Sequence, residues 1–252
     1  MTATSDPFER LRRLTRARVA LGRAGDGLPT EALLAFQMAH AKARDAVHGH
    51  VDFDAVAEAL SPLESLRVKS GAADRAIYLR RPDLGRRLSA GTDSLPAGPV
   101  DLAIVVADGL SSVAVEQHAA TVVTRLARLL PDLSLGPIVL AEQARVAIGD
   151  DIGARMRAGM VLVLIGERPG LSSADSLGAY LTFAPEVGMR DSARNCVSNI
   201  HDHGLLPAAA ADKLAWLIRE ALRLKLTGVG LKEAAPGALL ADAAGGPMLD
   251  HD

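Results

Sequence analysis

The chain has 252 residues, enough to bury a real core in one domain or in one domain with an extension. Hydrophobic residues make up 49 % of it but aromatics only 3 %, so the core is expected to be built from Ala, Val, Leu and Ile, which suits tightly packed helices over a parallel sheet. A net charge of −2 gives no general pull toward nucleic acid or an anionic membrane.

The single cysteine, Cys196, excludes an internal disulfide and fits a reducing cytosol. Met1 is followed by polar Thr2-Ala3-Thr4-Ser5-Asp6, so no secretory signal is expected. The longest apolar runs, such as residues 160–165, fall far short of the roughly 20 residues that span a bilayer. A soluble, intracellular protein is predicted.

Residues 1–99 read as a helical and loop extension. Ser5 is a plausible N-cap with Pro7 in the first turn, and Phe8, Leu11 and Leu14 mark one apolar face. Arg10, Arg12, Arg13, Arg16 and Arg18 crowd the same segment, a solvated helix face by default or a docking face for another subunit. Three glycines in residues 21–29 argue against a regular element there. Thr30 then opens a helix to about His48, with Leu33, Leu34, Phe36 and Val47 expected on its inner side. Residues 71–99, with Pro82, Pro96 and Gly98-Pro99 among charges, look like irregular linker.

From residue 100 the pattern changes. Residues 100–106 form a nearly continuous apolar run, as in a strand buried on both faces, and a helix is expected from Ser112 to about Leu130. Further strands are expected at residues 137–141 and 160–165, with a helical stretch from 150 to 157 between them, and shorter ones at 178–183 and 196–200. A closing helix runs from Pro207 to about Leu226, with Gly228 as its stop. This alternation predicts an α/β fold: a Rossmann-like, doubly wound, mostly parallel sheet over residues 100–230, preceded by the helical extension. Residues 231–252, rich in Ala and Gly, are expected to form a poorly ordered tail.

In such a sheet ligands bind at the carboxyl ends of the strands, here the loops 108–112, 141–148 and 166–170. No Gly-x-Gly-x-x-Gly follows the first strand, and neither a phosphate-binding Gly-x-x-x-x-Gly-Lys-Ser/Thr nor a Gly-x-Ser-x-Gly elbow occurs. Ordinary nucleotide binding and serine hydrolysis are therefore poorly supported. His48-Gly49-His50 with Asp52 and Asp54, and His201-Asp202-His203, lack the second ligand pair that a zinc shell needs, so no metal site is predicted. Cys196 reads as a small packing residue rather than a nucleophile.

Several blocks taken in order are more specific. Residues 17–30 (Ala-Arg-Val-Ala-Leu-Gly-Arg-Ala-Gly-Asp-Gly-Leu-Pro-Thr) and the helix segment 36–48 lead into Ala107-Asp108-Gly109-Leu110-Ser111. Then come Arg145-Val146-Ala147-Ile148-Gly149-Asp150, Gly166-Glu167-Arg168-Pro169-Gly170-Leu171 and Cys196-Val197-Ser198-Asn199-Ile200-His201. Together, over roughly residues 5–230, they resemble the small subunits of ethanolamine ammonia-lyase.

That resemblance implies a part in an adenosylcobalamin-dependent lyase converting ethanolamine to acetaldehyde and ammonia. It implies a large subunit as partner in a hetero-oligomer, with substrate and radical chemistry on that partner and no catalytic residue on this chain. It implies cobalamin contacts at Val146, Glu167 and Cys196, all expected at the ligand edge, with Asp108 added from strand-end position alone. Val146 and Cys196 would offer small apolar surface, and Glu167 an acceptor for side-chain amides of the corrin rim. Location in the cytoplasm, free or inside a bacterial microcompartment, follows from the same likeness, and no nucleic acid or membrane partner is implied. No Asp-x-His-x-x-Gly occurs, so benzimidazole is expected to stay on cobalt. The alternative is a free-standing Rossmann-like small-molecule binder or enzyme.

Overall fold

The computed structural model describes residues 8–15, 17–92, 95–96 and 98–232. Ser5, Pro7 and Arg16 lie outside them, as do residues 233–252 of the expected tail.

Six strands form one sheet: β1 (Ser65–Lys69), β2 (Val100–Ala107), β3 (Ile138–Glu142), β4 (Ala158–Gly166), β5 (Leu177–Phe183) and β6 (Arg194–Ile200), in the order β1-β3-β2-β4-β5-β6. The first four in that order run parallel, whereas β4–β5 and β5–β6 pair antiparallel. The sheet is thus mixed. The cause is connection length: residues 167–176 and 184–193 are too short for a helical crossover, and such links permit only a return in the opposite direction. A second difference is β1, which lies within the segment expected to be helix and loop and pairs with β3 from Ser65–Ile138 to Lys69–Glu142.

Helices cover both faces. On one side α3 (Phe53–Leu60), α6 (Ala120–Leu129) and α8 (Pro207–Leu224) bury Leu102, Ile104, Leu162 and Leu181. A short α5 (Ser112–Ala114) runs through a π-helical turn at Val115–Ala119 into α6, so the expected single helix is interrupted once. On the other side α7 (Ile148–Arg155) lies on Ala103, Val105, Val161 and Val163. Alternate residues of β2 therefore face opposite layers, and their complete burial accounts for the unbroken apolar run. The closing helix ends at Leu224, earlier than expected, because Lys225 takes the left-handed cap conformation at φ 55°.

The N-terminal part differs from the sequence reading in two ways. Residues 71–99 contain α4 (Arg75–Arg80) and a 3-10 turn at Leu84–Arg86, not only irregular chain. In α2 (Thr30–His48) the expected boundaries hold, but Leu33, Leu34 and Phe36 are 41 %, 58 % and 39 % exposed. Only Ala46 is buried, because α2 meets the body at its C-terminal end, where Gly49 abuts Ser112. α1 (Glu9–Leu14) buries nothing. Among the described residues no helix is long and apolar enough to cross a membrane.

Candidate functional site

The three expected loops do converge at the carboxyl ends of β2, β3 and β4. Asp108 is the fastener. Its carboxylate accepts the backbone N–H groups of Gly109 (2.8 Å), Gln143 (2.8 Å) and Ala144 (2.9 Å), and lies 3.4 Å from Arg75 Nη1. Burial pushes this carboxyl up, while those donors and the Arg75 guanidinium pull the other way. Asp108 is 5 % exposed with its acceptors turned inward, so it positions the loops rather than presenting a group to a ligand. Gly109, at φ 58°, passes directly beneath Gly166: a Cβ on either would overlap backbone carbonyl oxygen of the facing loop. Leu110 N–H then donates to the Gly166 carbonyl at 2.8 Å.

Beside this joint the surface sinks into two adjoining hollows of about 260 and 530 Å³, both lined by Arg145, Val146 and Tyr180. Glu167 lines the first, next to Gly109 and Gly166. Its Oε2 accepts the Ser176 hydroxyl at 2.5 Å and the Asn199 N–H at 3.2 Å, which fixes the carboxylate. Among the described residues Oε1 accepts no hydrogen bond, and the missing side chain of Gly178 gives it room: a Cβ there would sit 3.0 Å away.

Cys196 reaches the site differently from expectation. It pairs with Tyr180, which pairs with Val163, so it stands on the open strand face several residues below the ligand edge. Antiparallel β5 and β6 make this possible, since α7 shields only the neighbouring strands on that face. Cys196 is exposed as a residue, while its thiol, beside the paired Tyr180, is partly screened from water. Burial, with Glu167 adding to it, holds the thiol above its ordinary value, and burial with the same neighbours raises the Tyr180 phenol far out of the physiological range. Both groups are neutral, so Cys196 offers contact surface and no thiolate.

Val146 and Glu167 therefore line one trough, Cys196 stands beside it on the strand next to Tyr180, and three further side chains complete the lining: Tyr180, Tyr78 and Arg145. Tyr78 is fully buried, donates its hydroxyl to the Ala144 carbonyl at 3.0 Å, and lies between the guanidinium groups of Arg75 and Arg145. Sequence reasoning passed over all three, although a signal existed. The chain contains two tyrosines, and both line this trough.

The carboxylates beside the first histidine pair and the residues of the second cluster have local jobs. Asp52 caps α3 by accepting the N–H groups of Asp54 and Ala55, and Asp54 pairs with Arg67 at 2.6 Å. His201 Nε2 bonds Asn199 Oδ1 (2.8 Å) and Ser173 Oγ (3.1 Å), while Nδ1 accepts the His203 N–H at 3.2 Å, an organised turn. In the arginine-rich segment Arg18 reaches the Leu171 carbonyl at 3.1 Å and lies over Phe36, tying the extension to the loop after β4.

Residues 5–232 match the family model described as ethanolamine ammonia-lyase light chain (EutC). The chain belongs to this family. Its sequence is 53 % identical over 256 residues to the ethanolamine ammonia-lyase small subunit of Azotobacter vinelandii, covering 97 % of this chain and 95 % of the relative. It is 53 % identical over 250 residues to that of Ralstonia nicotianae (95 % and 93 % covered) and 54 % identical over 235 residues to that of Bradyrhizobium diazoefficiens (88 % and 89 %). The family's description as a light chain implies a larger partner subunit.

Proposed function

We propose that this chain is the small subunit of ethanolamine ammonia-lyase, the lyase that converts ethanolamine to acetaldehyde and ammonia. It contributes to binding adenosylcobalamin, while the large subunit carries the substrate and the radical chemistry. The observation that carries the reaction is the family match across residues 5–232. The trough supports the cofactor part through the chemistry of its lining.

Cobalamin presents a broad, largely apolar ring edged by neutral amides, and needs apolar contact with a few placed polar groups. Val146, Tyr180 and the neutral Cys196 thiol supply the first, and Glu167 supplies an acceptor whose Oε1 is uncommitted. Bound there, the cofactor would supply the radical chemistry of the enzyme. The residues of this chain hold and orient. Ser176 and the Asn199 N–H fix the Glu167 carboxylate, Gly178 makes space for it, and Asp108 locks the loop bearing Val146 to the end of β2. The neutral thiol and phenols offer contact surface, and Glu167 an acceptor, in a reading that assigns the chemistry to the partner chain.

In this reading the winding is Rossmann-like, supported by crossovers through α6 and α7 on opposite faces of the sheet. The exposed apolar residues of α2 face the large subunit, and the complex resides in the cytoplasm, free or inside a microcompartment. The test is to co-express both subunits, add hydroxocobalamin and look for a bound absorption spectrum. Glu167→Ala should weaken binding by about 1–3 kcal/mol, since amides lose their acceptor. Ammonia release from ethanolamine by this chain alone, or no bound spectrum with the complex, overturns the proposal.

A further inference from the structure

Arg145 is a cation held in place with no anion beside it. Its N–H donates to the Gly85 carbonyl at 2.8 Å and its own carbonyl accepts the Ile148 N–H at 2.9 Å, so the main chain is fixed on both sides. Its guanidinium carbon lies 4.5 Å from the centroid of the buried Tyr78 ring. Gly85 allows this stack, because a Cβ there would come within 2.9 Å of Arg145 Cγ and 3.0 Å of Tyr78 Cε2. Arg75, which also lies over this ring, donates to the Val47 and Gly109 carbonyls and lies 3.4 Å from the Asp108 carboxylate, with its Nη2 buried and unpartnered. Arg145 differs in its charge balance: among the described residues no carboxylate pairs with it, and its Nε too is buried without a hydrogen-bond partner.

Of the acids that line the trough, Glu167 accepts through Oε2 from Ser176 and Asn199 and Asp191 lies 3.5 Å from Arg194, and among the described residues neither forms an ion pair with Arg145. Arg86, Arg168 and Arg190 add further positive charge around the rim. A planar guanidinium, stacked and pre-oriented in a half-buried hollow, suits an oxyanion that can take its paired N–H groups. Neutral corrin amides can accept its N–H groups but bring no charge to balance it. The one anionic group on the periphery of cobalamin is the phosphodiester of its nucleotide tail. We infer that Arg145, stacked on Tyr78, binds this phosphodiester and makes the trough the subsite for the nucleotide tail. The inference rests on the cobalamin reading above.

The experiment compares two ligands on the full complex of large and small subunits: cyanocobalamin, and dicyanocobinamide, which lacks the phosphate, ribose and base. Binding is read by spectroscopic titration at several salt concentrations. Arg145→Met keeps the length of the stem and removes the charge. It should weaken cyanocobalamin binding about 10–100-fold and flatten its salt dependence, with cobinamide affinity unchanged. Arg145→Lys keeps the charge as a single point and should retain the salt dependence while losing part of the affinity. It also serves if the Met variant fails to assemble. Equal losses for both ligands, or no loss for either, overturn the assignment of Arg145 while leaving cobalamin binding itself intact. A wild-type complex that binds neither ligand refutes the cobalamin reading and this inference with it.

Discussion

Replacing Arg194 by Met would leave an ionised carboxylate stranded in the interior. Arg194 and Asp150 have side chains only 2 % and 1 % exposed and meet through paired contacts of 2.6 and 2.7 Å. The guanidinium also donates to Thr182 Oγ1 (3.0 Å) and the Met189 carbonyl (3.2 Å). Removing one member of such a pair costs about 3–5 kcal/mol, and at about 2–4 °C per kcal/mol for a chain of this size the melting point should fall about 6–20 °C. Replacing both, with Asp150→Leu added, removes the stranded charge. Only Thr182 and Met189 are then left short of a donor, and the double variant should lie within about 2 kcal/mol of the parent. Urea unfolding of the four proteins closes the cycle. If the double variant loses as much as the two single changes added together, the pair is not coupled and the reasoning fails. The pair also lies near the site: Asp150 sits in the first turn of α7, after Val146, and Arg194 lies two residues before Cys196 on β6, so this contact ties the two elements together.

Burial holds the His118 imidazole below its ordinary value, against the pull of Asp202 and Asp175 and alongside repulsion from His201. The unfolded chain, with an imidazole near about 6.5, then binds the proton more readily. The contribution is complete above that value and fades as the pH falls through the depressed one, so His118→Phe should flatten the drop in urea midpoint between pH 7 and 5. An unaltered drop would assign the acid sensitivity elsewhere. Gly166→Ala would drive a methyl into the carbonyl oxygens of Ser111 and Asp108, which are main-chain atoms and cannot swing aside. A loss of about 3 kcal/mol in urea unfolding is expected, and a loss below about 1 kcal/mol would show that the joint can relax. Deleting residues 1–28 removes α1, which buries nothing, so circular dichroism of the body should persist while the complex with the large subunit weakens or aggregates on size-exclusion chromatography. Cob(II)alamin bound to the complex with nitrogen-15 histidines should show no superhyperfine coupling from a protein nitrogen, as expected if benzimidazole stays on cobalt.

The parallel half of the sheet was readable because β2, β3 and β4 are roofed on both sides and must be apolar at every position, and the loops after them could be placed from topology alone. Strand direction was harder. The short segments at 178–183 and 196–200 do not reveal their direction, and only the absence of a helix in residues 167–176 marks β5 as a return strand. β1 escaped because Ser65-Leu66-Arg67-Val68-Lys69 alternates as an edge strand does and sits among loop signals. Arg75 and Tyr78 went with it, since a six-residue helix between prolines and glycines leaves little periodicity to detect. The exposed face of α2 deceived for another reason: amphipathic spacing says that a helix face will be covered, not that this chain covers it. Of the trough, Val146, Glu167 and Cys196 were all named through family likeness. Loop and strand end agree with the first two, whereas Cys196 lies on a part of the sheet where strand-end logic does not point.

The open strand face around Tyr180 and Cys196 has a kinetic meaning. A wall has no door: among the described residues nothing lies across this face, so a ligand resting against it meets no barrier to leaving on this side. The lifetime of anything held there is then governed by the surface that closes over it, and alterations on this side of the trough should appear mainly as faster escape and hardly at all as slower arrival.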